Sequence, residues 1–464
     1  MTRRSRRRVL AATGTAITAA LAGCGGVSES LAGGDDDTVT YDQAALTDLA
    51  ERSFPRPPAA FPVSIPSSAF DRHRSRIRTL LDEVPTSPAL PNGALSAKLS
   101  ERRSEVTERF RSLSGGSAEQ SDGSESESAL DRATPRERLE DLRSVRTDAA
   151  GLNAAYRAAT GEIDLQRLRS RRETVRSALD EFRRSWTYAG ASPLDALVVH
   201  NAIEDLVMDV RYSLRDGASL PERPRDAPFE VSQFAASVED ARATLADAEL
   251  FRTIHRESAA EPTSYRETIR KTAEQLSEQY EITAAHADIH EYTQSEEPPF
   301  DRSIEGTPAG ELYQYAREHV GEEFIREPTL SRQPANRSLE AAVGLAGIYT
   351  FRSVVEGIRA GSYGVPDSVG PIAEAYTDAV DALRMVWEGE PRALRLELDW
   401  PATESASAWE EFRDELSERE GGELSTYVVS DTYGGLLYAY RYATYVPPAA
   451  EHLLDVLRKN RPGE

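Results

Sequence analysis

Two histidines one helical turn apart, His286 and His290 in "HADIHE", have the spacing in this chain best suited to chemistry. On a continuous helix their rings share a face. They can then chelate a divalent cation, with Glu291 or Asp288 beside them and a remote third ligand. The competing reading is two solvent-facing histidines without metal. It is favoured, because no second motif completes the ligand shell. A second constellation is His200 with Glu204 and Asp205, set among Val198, Val199, Ile203 and Leu206. A buried histidine and carboxylate one turn apart can act as base and acid, although a satisfied structural pair is the commoner case. His319 with Glu322 and Glu323 reads as a solvated helix face. Among the tyrosines, Tyr438, Tyr442 and Tyr445 fall on one helical face. Such a stripe suits a binding groove, but packing beneath the glycine-rich segment 338–360 is the favoured reading.

The common catalytic motifs are missing. The chain holds no G-x-S-x-G, G-x-x-x-x-G-K, G-x-G-x-x-G or H-E-x-x-H. None of its seven histidines follows a glutamate by three residues, as the carboxylate-bridged di-metal bundles require. No catalytic residue is therefore assigned. No cofactor is expected, apart from a divalent metal at His286, His290 and Glu291. Asn336-Arg337-Ser338 is an acceptor triplet for N-glycosylation.

The single cysteine, Cys24, follows five arginines in the first eight residues and fifteen uncharged residues, Val9 to Gly23. That run is too short and too mildly apolar to span a bilayer, which takes about 20 apolar residues. A basic head, a modest apolar middle and a small-residue end describe a signal peptide. Arg6-Arg7 ahead of Val9-Leu10 resembles a twin-arginine (Tat) export signal, and Leu21-Ala22-Gly23-Cys24 resembles a lipobox. Together they resemble the leader of Tat-exported haloarchaeal lipoproteins. That resemblance covers the first 24 residues and carries over no activity. It implies cleavage before Cys24, a diacylglyceryl thioether on its sulfur, and attachment to the outer face of the cell membrane. Two acyl chains suffice for stable anchoring.

Composition points the same way. The net charge is −23, and only Lys98, Lys271 and Lys459 are lysines. A strong acid excess with lysine nearly absent resembles proteins of extreme halophiles, whose surface repulsion is screened in molar salt. A nucleic-acid partner is disfavoured, since phosphate binding needs a basic stripe. One cysteine, consumed by lipid, says nothing about redox compartment.

The elements that must position these residues are helical. Helices are predicted at Asp71 to Val84 and at about Leu95 to Leu113. Thr134-Pro135-Arg136-Glu137 is a capping box. Apolar periodicity from Leu139 to Tyr156, and again from Leu165 to Trp186, predicts a long helical hairpin. Further helices are expected at Ser192 to Leu214, 232–258, 264–292 (with Ser264 to Glu267 as capping box), 308–325, 338–360, 370–388, 404–420, 433–446 and 448–459. "ALRLELDW" (393–400) and "STYVVS" (425–430) read as short strands. The fold class is mainly α: a multi-helix bundle or helical array with a long hairpin, and room for one minor two-stranded β element near 393–430. The chain divides into a signal peptide (1–23) and a lipidated Cys24 with a proline-rich tether (24–66). An N-terminal helical segment (67–113), an acidic disordered linker (114–129), a helical domain (130–297) and a C-terminal helical domain with minor strands (298–464) follow.

Three functions fit this reading. The first is a helical interaction or scaffold protein of the cell surface, with another envelope protein as partner. The second is a solute- or metal-binding lipoprotein serving a transporter. The third is a hydrolase of unfamiliar type built on His200 and Glu204.

Overall fold

The computed structural model describes residues 38–55, 62–114, 134–215, 220–258, 260–295, 300–320, 333–389, 399–418 and 422–461. The leader, Cys24, residues 115–129 of the linker and residues 393–398 of the strand expected at 393–400 lie outside them; its last two residues, Asp399 and Trp400, are helical. Along the chain run β1 (Thr38–Thr40), α1 (Gln43–Ala50), α2 (Ser67–Asp82), α3 (Gly93–Ser114), α4 (Pro135–Thr160), α5 (Leu165–Ser185), β2 (Ala189–Gly190) and α6 (Pro193–Ser213). Then come α7 (Pro228–Ser258), β3 (Thr263–Ser264), α8 (Arg266–His286), α9 (Ile289–Gln294), α10 (Pro308–Val320) and α11 (Pro334–Arg359). The last elements are α12 (Val369–Glu388), α13 (Asp399–Glu418), β4 (Glu423–Ser425) and α14 (Thr426–Lys459). The fold is mainly α, with two minor antiparallel strand pairs, β1–β4 and β2–β3.

Among the described residues, the chain forms two compact units. The first takes 62–191 and 199–264, and the second takes 38–55, 192–198 and 265–461. In the first, α4 opens on the expected capping box. Glu137 N–H donates to Thr134 Oγ1, and Thr134 N–H donates to the Glu137 carboxylate. Gly161, at φ 80°, ends the helix in the left-handed region that glycine tolerates. Helices α4 and α5, predicted to form a hairpin, both take α7 as their main partner. The 67–113 segment packs here too: α2 and α3 lie on α4. Ile77, Leu80, Leu99, Leu142 and Val145 fill that interface.

In the second unit, α14 is the central helix, packed by α10, α11, α12 and α13. It corrects two expectations. "STYVVS" is helical, because the Ser425 side chain caps α14 at Val428 N–H and because Val428 and Val429 are buried on its core face. The helices expected at 433–446 and 448–459 are one helix, continuous through Pro447 and Pro448. Burial of Val446, Ala449, Ala450 and Leu453 along this stretch offsets the cost of the prolines. Strand β4 lies within the range expected for the minor β element, 393–430, but its partner is the distant β1, residues 38–40. Residues 38–55, placed in the tether by sequence, form a folded strap on this unit. Trp409 Nε1–H donates to Arg52 O at 2.9 Å, and the Tyr376 hydroxyl donates to Ser53 O at 2.8 Å.

The small residues of α11 do permit close approach. A Cβ on Gly347 would lie 2.8 Å from the His319 ring. By length and composition α11 could cross a membrane, but 72% of its most apolar window is buried inside the protein.

Candidate functional site

The proposed metal pair does not share a helical face. Helix α8 ends at His286, and Asp288 sits at φ 52° in the left-handed region. His290 and Glu291 begin a separate helix, α9, whose Ile289 turns into the core. His286, His290 and Glu291 are all exposed. The break explains why the i, i+4 rule fails here: the periodicity was read across a helix end. Among the described residues, no group of three His, Cys, Asp or Glu is placed to hold a metal ion. Ser264 lies in β3, and α8 has no side-chain cap, so the predicted capping box at 264–267 does not form. The glycosylation triplet lies in the first turn of α11, with Asn336 half-buried and Ser338 buried. An acceptor triplet belongs on an accessible surface loop, so this placement disfavours the site.

His200 and Glu204 are both buried, at 1% and 0% exposure, in a polar corner of the first unit. Trp186 Nε1–H donates to His200 Nδ1 at 3.0 Å. Indole nitrogen only donates, so Nδ1 must accept and the proton of the neutral ring sits on Nε2. That Nε2 reaches Ala189 O at 3.0 Å, and His255 Nε2 reaches the same carbonyl at 2.9 Å. Burial is the main cause that pushes the His200 pKa down to about 4, and His255 and Arg252 add to it. The Tyr188 hydroxyl donates to Glu204 Oε1 at 2.6 Å. The Trp186 and Tyr188 rings stack at 5.0 Å. With its lone pair occupied, His200 is a fixed hydrogen-bond post for the 186–190 corner. It is no poised base.

His319 is buried at the end of α10, its ring 4.5 Å from that of Tyr442. It is core, which corrects the solvated-face reading for His319; Glu322 and Glu323 lie outside the described residues. Tyr438 and Tyr442 are fully buried beside it. The tyrosine stripe is therefore packing, as favoured. Nearby, the Tyr315 hydroxyl donates to Asp431 Oδ1 at 2.8 Å. Burial raises the pKa of Asp431, and burial with Asp431 raises that of Glu311.

The most concentrated charge chemistry lies where no motif pointed, between α2, α4 and α7. His73 and Asp247 are fully buried, His73 Nε2 lying 3.1 Å from Asp247 Oδ1. Arg72 Nη2 approaches the same oxygen at 2.5 Å. Arg146 Nη1 reaches back to within 3.5 Å of His73 Nδ1. One oxygen, Glu239 Oε1, accepts from Arg76 Nε at 3.2 Å, Arg146 Nε at 2.8 Å and Arg242 Nη2 at 2.8 Å. Burial pushes the Glu239 pKa up, but the three arginines outweigh it and hold the carboxyl at about 2. Burial is the first cause that lowers the Arg146 pKa. Glu239 opposes the shift, while Arg242 and Arg76 add to it. The available signal was weak: charged residues on the core stripe of an amphipathic helix, such as His73 between Ala69 and Ile77.

These features define a two-part helical protein whose first part holds an arginine-rich interior site. Family models described as domains of unknown function match both parts, DUF8262 over residues 68–261 and DUF8264 over residues 264–455. The step from one match to the next falls at the boundary between the two units. No curated protein and no solved structure matches the chain.

Proposed function

We propose that this chain is an extracytoplasmic lipoprotein exported by Tat and held at the outer face of a haloarchaeal membrane through lipid on Cys24. Its helical body serves as an interaction or scaffold protein for another envelope protein. The observation that carries the reading is the leader: a twin arginine, a mild apolar run and Leu21-Ala22-Gly23-Cys24, in order and correctly spaced. The acidic, lysine-poor composition supports a high-salt habitat. The interior histidines support binding over catalysis, because His200 is tied on both ring nitrogens.

The alternative, a solute-binding lipoprotein serving a transporter, is favoured by one observation, the arginine-lined cavity of the first unit. Fractionation tests the anchor: Cys24→Ser should move the protein from the membrane to the soluble fraction. Retention in the membrane would sink it. Co-purification from native membranes at high salt should yield a stoichiometric envelope partner under the first reading. Recovery of the lipoprotein alone would favour the second.

A further inference from the structure

A cavity of about 340 Å³ in the first unit is walled by Arg72, Arg76, Arg146 and Arg242, with Ser75 and Thr79 beside them. Four guanidiniums converge in a chain whose net charge is −23. Among the described residues, the carboxylates that hold them are Glu239 and Asp247. Three of the arginines are bonded to a single oxygen of Glu239. The four guanidiniums therefore outnumber the carboxylates they bond, with Arg146 buried, Arg72 and Arg76 partly buried and Arg242 exposed. Like charges so placed repel, and an anion between them relieves the repulsion. Arg72 adds a specific vector: its Nε–H is buried and has no hydrogen-bond partner among the described residues. Guanidinium groups match the planar, two-oxygen face of carboxylate and phosphate.

A second cavity, of about 540 Å³, adjoins the first and shares Arg76, Arg242 and Ala246 with it. Its lining has an apolar stretch, Leu80, Leu168, Val175, Val238 and Leu245, beside the charged Glu83, Arg157 and Glu249. Arg171 of α5 stands at its edge. A polar, cationic end joined to an apolar chamber fits an amphiphile, and a bare inorganic ion would leave the chamber unused. A polynucleotide is a poor match, because the arginines form one pocket and no stripe.

We propose that the cleft between α2, α4, α5 and α7 binds an anionic amphiphile. Its oxyanion head, a carboxylate or a phosphate, lies against Arg72, Arg76 and Arg242, and its apolar body lies along Leu168, Val175 and Leu245. This site stands on the side chains of the first unit and does not depend on the lipid anchor.

Calorimetric titration of the purified full chain tests it, using dodecanoate, dodecyl phosphate, inorganic phosphate and dodecyltrimethylammonium, each below its micelle concentration. At least one anionic amphiphile should bind saturably, about tenfold or more tighter than inorganic phosphate, with no matching site for the cationic amphiphile. The stronger of the two anions identifies the head group. Arg76→Gln with Arg242→Gln should weaken that binding about tenfold or more. If that double variant fails to fold, Ala178→Trp, which fills the apolar chamber, should weaken the amphiphile and leave phosphate unchanged. The proposal is overturned if neither anionic amphiphile binds saturably, if the cationic one binds equally well, or if the folded variants bind as tightly as the parent.

Discussion

The first unit joins its central helices across buried ions, whereas the second joins its helices across rings and small residues. In the first, Glu239 and Asp247 hold arginines from α2, α4 and α7. In the second, α10, α11 and α14 meet through Gly347, Gly434, Tyr438 and Tyr442. A buried ion cluster is weak evidence for stability, because desolvation offsets much of the attraction. Its members become costly only when one is removed and leaves the others uncompensated. An apolar interface responds instead to volume. The two units should therefore fail for different reasons.

The largest expected effect is in the first unit. Glu239→Ala leaves Arg146, 4% exposed, without its carboxylate and should cost about 3–5 kcal/mol. Denaturant unfolding followed by hydrogen exchange should place that loss in α2, α4 and α7, and leave α11 and α14 protected as before. Equal loss in both units would remove the distinction.

Acid comes next. The His200 pKa is lowered to about 4 from 6.5. The folded state therefore disfavours the proton, and the stability is fully present above pH 6.5. It is lost as the pH falls through about 4, by about 3 kcal/mol. His200→Gln keeps a donor and an acceptor without titrating, so it should abolish that part of the acid loss. Trp186 fluorescence can follow it. An unchanged pH profile in the variant would refute the assignment. Asp431 and Glu311 of the second unit have the opposite sign. Their pKa values are raised, so their contribution is present at low pH and lost as pH rises.

The smallest effect tests the second unit by volume. Gly347→Val pushes new atoms toward the His319 ring and the Val320 Cγ1, 2.8 and 3.3 Å from the Cβ position. The cost should be about 1–3 kcal/mol from overpacking, read as a lower denaturant midpoint for the second unit. An unchanged midpoint would contradict the close-packed reading.

Local signals in the sequence carried most of the fold. The Thr134 capping box, the stripe from Leu139 and the Gly161 stop all depend on residues a few positions apart, and all appear in α4. Two kinds of feature did not carry. "STYVVS" has strand-like residues, but a serine cap and core burial override that preference. The arginine site was hidden because its partners lie far apart in sequence: Arg146 and Glu239 are separated by 93 residues, and His73 and Asp247 by 174. Helical spacing rules see only the next turn. They found His286 and His290, which the fold separates, and missed Arg72, Arg76 and Arg242, which it gathers.

The strap has a mechanical consequence. If the chain is held by lipid at Cys24, fourteen peptide units separate the anchor from Thr38, a reach of at most about 50 Å. Among the described residues, a pull from the membrane first meets the three residue pairs of β1 and β4, Thr38 with Ser425, Val39 with Leu424 and Thr40 with Glu423. To travel farther along the chain, the load must pass Tyr41, clamped to Pro366 O, and then the grips on Arg52 and Ser53. The second unit thus meets tension first. The first unit, with its arginine cleft, follows the strap in the chain.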